Sequence, residues 1–147
     1  MMSHHLGSLL LHLWRASGSD STVKSTSITT VQRFSQFIEL HYRDNLSIEV
    51  FPKLLGVARA HLHAACRRSA RCTPLKLVHD RLLEEARLQL GNTEFPVEQN
   101  RLWLGFRDPG YFNRFFKRLT GIAPAAYRQT VATARSTVDA PSVAAWP

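Results

Sequence analysis

A chain of 147 residues, 44% hydrophobic and 20% charged, has room for one compact domain or two very small ones, and its composition excludes a disordered or fibrous chain. Lys and Arg number 19 against 11 Asp and Glu, a net charge of +8 that suits a phosphate-bearing partner first and an anionic membrane second. The apolar run LLLHLW (9–14) is too short to span a bilayer and lacks the basic leader of a secretory signal, so the reading expects a soluble cytoplasmic protein.

In chain order, residues 1–16 place Leu6, Leu9, Leu10, Leu13 and Trp14 on one side of a short amphipathic helix. The small polar run SGSDSTVKSTSITT (17–30) reads as a flexible linker. Helical spacing then returns: Phe34, Phe37, Ile38 and Tyr42 or His41 predict a helix over 30–43. Ser47 is placed to cap a second helix bearing Ile48, Phe51 and Leu55, which Gly56 ends. A third over 59–69 turns Leu62, Ala65 and Cys66 inward, which makes Cys66 a small core residue and, with Cys72, a reduced thiol. Pro74 opens a long helix to about 91, with Leu75, Val78, Leu82, Ala86 and Leu90 or their neighbours inside. A fifth helix covers 97–104 and ends at Gly105. Asp108 caps a sixth with Pro109 at its first position, and a last short helix starts at Pro124. From Gln129 to 147 the tail reads as disordered. No strand pattern competes, so the fold class is all-α, with about seven helices.

The segment GFRDPGYFNRFFKRLTGIAPAAYR (105–128) interleaves four Phe and two Tyr with five basic residues. Phe112, Phe115, Phe116 and Leu119 recur at i, i+3, i+4 and i+7, giving an apolar face with Phe106 beneath it. The opposite face carries Gly110, Asn113, Arg114, Lys117 and Arg118. A helix fixed on one side and bearing Arg and Asn on the other fits a DNA major groove. There a guanidinium pairs bidentately with guanine, a carboxamide with adenine, and flanking cations neutralise phosphate. The plainer alternative is a solvated basic face.

An internal repeat strengthens the first reading. At an offset of 49, Ile48, Glu49, Leu55 and Gly56 fall on Val97, Glu98, Leu104 and Gly105; at 50, Leu62, Ala65, Cys66, Arg67, Arg68 and Pro74 fall on Phe112, Phe115, Phe116, Lys117, Arg118 and Pro124. Each copy is helix, glycine-bearing turn, helix. Roughly eighteen residues of connecting helix would span about 27 Å, the scale of successive major grooves on one DNA face.

These residues carry a resemblance. The 105–128 segment and the stretch RLLEEARLQL (81–90) are similar to transcription regulators of the AraC/XylS type, over about residues 46–128. More weakly, FSQFIELHYRDN resembles members that respond to aromatic acids. The resemblance implies a double helix-turn-helix DNA-binding domain over 31–128 and double-stranded DNA as partner, with RNA polymerase a further one. It implies an effector domain before it that is missing here, 1–16 being a remnant of its last helix, so that any small-molecule effector acts only through that missing part. Carried over residue by residue, Arg107, Gly110, Asn113 and Arg114 would meet base edges or nearby phosphates, with the cap Asp108 among them, and Lys117 and Arg118 would meet the backbone. In the first copy the face is Arg59, Ala60, His63 and Ala64, with Arg67 and Arg68 behind. Ala64 stands where the second copy has Arg114, so the second unit is expected to contribute more contact energy.

Three positions depart from the family pattern. Pro52 and Arg101 stand where small residues are usual, and Arg71 replaces the glycine present as Gly121. A proline inside a helix costs about 3 kcal/mol, and an unpaired buried guanidinium several. These departures predict either helices that shift, with the arginine escaping to the surface, or a weakened, marginal core. The alternative function is a diverged module that binds another regulator instead of DNA. The histidines and cysteines of HLHAACRRSARC (61–72) are poorly spaced for zinc, since His61 and His63 point about 200° apart on a helix. Neither metal nor cofactor is expected. Without a nucleophile elbow, phosphate loop or paired carboxylates the chain does not read as an enzyme; Glu84 and Glu85 are explained by pairing with Arg81 and Arg87 along their helix.

Overall fold

A computed structural model describes the backbone of residues 5–92 and 94–138, and side chains from Val23 onward. Among the described residues there are seven α-helices and no strand: α1 (His5–His41), α2 (Val50–Leu55), α3 (Arg59–Ser69), α4 (Pro74–Asn92), α5 (Val97–Trp103), α6 (Pro109–Thr120) and α7 (Pro124–Val138). A single 3-10 turn, Tyr42–Asp44, follows α1. The chain divides into two compact units, one running through His41 with Leu46–Val78, the other Tyr42–Asn45 with His79 onward.

In the first unit Phe34 and Ile38 of α1 meet Phe51 and Leu55 of α2 and Leu62, Ala65 and Cys66 of α3. The Phe34 and Phe51 rings stand edge to face at 5.3 Å. Burial pushes the Cys66 thiol up to about 11, with neighbouring Cys72 adding to the shift. The expected linker over 17–30 is instead part of α1, whose inward stripe continues backwards from Ile38 and Phe34 through Thr30 and Ser27. That stripe is polar, so apolar periodicity could not reveal it. Arg68 donates to Ser27 Oγ at 3.1 Å, and Thr30 Oγ1 lies 3.3 Å from His61 Nε2. Thr29 and Thr30 also donate to the carbonyls of Ser25 and Thr26, four residues back, which lets hydroxylated residues sit in a helix. The apolar face expected on residues 1–16 lies outside the described side chains.

Helix α2 begins two residues later than the Ser47 cap predicted, with Glu49 at the cap position. Ser47 instead makes a turn, its carbonyl accepting from Val50 N at 3.0 Å. This shift disposes of the Pro52 problem. Pro52 becomes the third residue of α2, inside the first turn, where a backbone N–H has no intrahelical acceptor to lose. Its carbonyl still accepts from Val57 N at 3.0 Å.

In the second unit Leu82, Ala86 and Leu90 of α4 join Leu104, Phe106, Phe112, Phe115 and Phe116. Leu75 was expected inside but is 45% exposed, and Leu119, expected on the apolar face of α6, is 36% exposed. Arg101 neither escapes to solvent nor lies unpaired. It is 4% exposed, with Nη1 donating to the Phe106 carbonyl, Nη2 to Glu98 Oε1, and Nε to Glu98 Oε2 at 3.0 Å. The hydrogen bond from Arg101 holds the Glu98 carboxyl below the ordinary carboxylate range. Buried Asn100 donates to the Gln89 carbonyl at 3.3 Å. Two of the three expected core defects are therefore accommodated, and the predicted crippling does not follow from them. The third stands: Arg71 is in the left-handed region at φ +58°, where Gly121 of the second copy has φ +85°.

Helix α7 runs well past the expected short helix, so 129–138 is helical where disorder was expected; 139–147 lie outside the described residues. Arg135 donates to Asn92 Oδ1, tying α7 to the end of α4, and Arg128 Nε donates to the Leu90 carbonyl at 3.3 Å. Along α4, Glu85 pairs with Arg81 at i−4 (3.0 Å) and accepts from Gln89 at 3.1 Å, a structural role close to the one expected for the Glu84 and Glu85 pair.

Candidate nucleic-acid interface

The chemistry expected of α6 depends on how firmly it is held. Asp108 adopts φ −96°, ψ 121° and its side chain accepts from Tyr111 N, with Pro109 at the first helical position. The cap fixes where the helix starts, and the aromatics fix its rotation. Phe106 lies 5.0 Å from the Phe112 ring and 5.1 Å from that of Phe115, while Phe116 meets Tyr127 at 5.4 Å. The imidazole of His79 stands edge-on to Phe115 at 5.2 Å. Burial lowers the His79 pKa below 6.5, with Arg118 adding to the shift and Asp80 opposing it.

The turn before α6 is clamped from the other side. Arg43 stacks 3.8 Å over the Trp103 ring and donates to the Trp103 carbonyl at 2.9 Å, and Arg81 lies 4.4 Å over the Tyr42 ring. Gly105, at φ +87°, is required here on two grounds, since a Cβ would also fall 2.0 Å from the Arg43 carbonyl oxygen. The sequence shows Gly105 as a helix end and the turn glycine aligned with Gly56, but not this clasp, because an Arg-to-Trp contact across sixty residues leaves no local signal.

With its buried face fixed, α6 presents Asn113, Arg114, Lys117 and Arg118 to solvent, Gly110 half-buried between them, and exposed Arg107 just before the cap. Gly110, Asn113, Arg114 and Lys117 form one stripe at i, i+3, i+4 and i+7. All seven residues expected in this set thus fall on or beside the free face of one helix, though Asp108 is engaged as its cap.

The first unit presents a thinner version on α3. Ala60, His63, Ala64 and Arg67 share a stripe at the same spacing, with Ala60 and Arg67 exposed and His63 and Ala64 half-buried. Arg59 is occupied by Glu49 at 2.9 Å, an exposed pair that a phosphate could displace at small cost. Arg68, behind the face, is exposed and donates through Nε to Ser27 Oγ of α1 at 3.1 Å.

Two helix-turn-helix units, each with one helix buried along an aromatic or aliphatic face and free along the other, define a transcription-regulator DNA-binding domain. A family model described as a helix-turn-helix domain matches residues 53–130, more than half of the chain, and the chain belongs to that family, the regulators of the AraC type. It is 26% identical over 125 residues to the raffinose operon transcriptional regulatory protein RafR of Pediococcus pentosaceus, covering 83% of this chain and 43% of that one. It is 28% identical over 99 residues to the arabinose operon regulatory protein of Escherichia coli K12, covering 67% of this chain and 34% of that one. The chain thus spans less than half the length of these curated relatives. Among solved structures, the C-terminal domain of AraT, a response regulator from Geobacillus stearothermophilus, matches with a TM-score of 0.64 at 26% identity, covering 69% of this chain and 84% of that one. A probable AraC family transcriptional regulator from Rhodopseudomonas palustris CGA009 matches at 0.58 and 25%, covering 70% and 97%. These relatives are transcription-regulator domains and not enzymes. No helix among the described residues is long and apolar enough to cross a membrane.

Proposed function

We propose that this chain binds double-stranded DNA sequence-specifically, with α6 and α3 entering successive major grooves, and acts in the cytoplasm as the DNA-binding part of a transcription regulator. The observation that carries this reading is α6. Its aromatic face is locked, so its Arg and Asn stripe is held in one orientation, as reading base edges requires. In this reading Arg114 and Asn113 contact bases, and Arg107, Lys117 and Arg118 contact phosphates. On α3, His63 and Ala60 face bases with Arg59 and Arg67 on the backbone. Support for two grooves comes from the repeat and from the unbroken 19 residues of α4, about 28 Å at helical rise. The second unit supplies most of the contact energy, because Ala64 stands where the second copy has Arg114 and leaves α3 with fewer donors.

Binding to genomic fragments across a salt series tests the proposal. The logarithm of the association constant should fall by roughly 0.9 per phosphate contact for each decade of salt. A chain that only joins another regulator would leave DNA unretarded at every salt concentration.

A further inference from the structure

The N-terminal turn of α6 holds a glycine that its backbone does not require. Gly110 has ordinary helical dihedrals, and glycine is the poorest helix former after proline. What would be lost with a side chain here is space. A Cβ at position 110 would lie 3.1 Å from Arg114 Nη1, 3.9 Å from Arg114 Cζ and 3.2 Å from Asp108 Oδ1. Helical side chains lean towards the N-terminus, so Arg114 reaches back one turn and rests its guanidinium in the gap over Gly110. Asp108 is fixed there by its bond from Tyr111 N. The repeat supplies an internal comparison. The positions of Asp108, Gly110 and Arg114 hold Ala58, Ala60 and Ala64 in the first copy, so the carboxylate, the gap and the guanidinium occur together or not at all. Ala58 accordingly caps α3 without a side-chain bond.

We propose that Gly110 determines specificity without touching DNA: its missing Cβ leaves the Arg114 guanidinium its place over the first turn of α6 and so sets the direction in which it meets a base. This rests on the reading of Arg114 as a base contact. A methyl group at 110 would stand 3.1 Å from Arg114 Nη1 and 3.2 Å from Asp108 Oδ1, and the long-chained guanidinium yields and changes the direction from which it reaches a base.

The test uses the chain itself and sites selected from a random oligonucleotide pool, comparing all four base pairs at every position of the selected site. Arg114→Ala should relax discrimination at one position by about fivefold to 150-fold. Gly110→Ala should relax the same position by about threefold to tenfold and leave the others alone. In the Arg114→Ala background it should change nothing further. Unaltered discrimination in Gly110→Ala, or an effect that persists without Arg114, would overturn the proposal. Failure of Arg114→Ala to relax any position would instead remove the reading of Arg114 on which it stands.

Discussion

A guanidinium that has two carboxylate oxygens and a main-chain carbonyl around it keeps its hydrogen bonds when water leaves, and so Arg101 can lie buried beneath the second turn. Removing it leaves the Phe106 carbonyl without this donor and a void under α6. Arg101→Ala should lower the melting temperature well beyond Glu98→Gln, and Arg101→Lys should rescue little, because an ammonium cannot serve both partners as a planar fork does. Thermal denaturation followed by circular dichroism checks this; an Arg101→Ala chain that melts with the parent would contradict it. Arg71 is the opposite case, an exposed side chain on a left-handed backbone with nothing in the fold to require it. Arg71→Gly should stabilise by roughly 1 kcal/mol, read as a higher urea midpoint at unchanged slope. A glycine that destabilised here would show that the arginine makes contacts outweighing its strain.

At the scale of elements, α6 is held by a cap and a face, and each can be weakened separately. Asp108→Ala should cost about 1 kcal/mol of stability, since Tyr111 N loses its acceptor. The face carries a pH dependence through His79. Its folded-state pKa lies below 6.5, so the unfolded chain takes up the proton first on acidification. The stability it contributes is complete above about pH 6.5 and is lost as pH falls from there through the folded value. Urea midpoints measured across that window should decline for the parent chain and decline less for His79→Gln. Equal slopes would show that His79 does not govern the effect. The same element shows what sequence makes legible. Asp-Pro at the start of α6, three phenylalanines at helical spacing and a glycine at its end are local signals, and the helix, its cap and its three buried phenylalanines were legible from them. Helix α1 was not, because its buried stripe over 27–30 is Ser and Thr satisfied by His61 and Arg68, partners more than thirty residues away. Arg101 was misjudged for a related reason. Glu98 three residues earlier signalled a partner, but the Phe106 carbonyl that completes the site exists only once the turn has folded. Pro52 hinged on a helix start displaced by two residues, which separates an interior proline from a harmless first-turn one.

For the whole molecule, the repeat made the architecture visible before any coordinates, since two copies of one pattern with a helix between them leave few all-α arrangements. The free faces of the two copies are unequal. Lys117→Ala, on the phosphate-facing side of the proposed interface, should weaken binding alike on all sequences and reduce the salt slope by about one contact, measured by fluorescence anisotropy on matched and mismatched duplexes. A change confined to one sequence would place Lys117 at a base edge. Hydroxyl-radical footprinting on a selected duplex tests the two-groove claim most directly. Two protected patches on one face, about one helical turn or 10–10.5 base pairs apart, with the α6 patch more resistant to added salt, are the expected result. A lone patch that survives Arg59→Ala and Arg67→Ala unchanged, or two patches on opposite faces of the duplex, would contradict it.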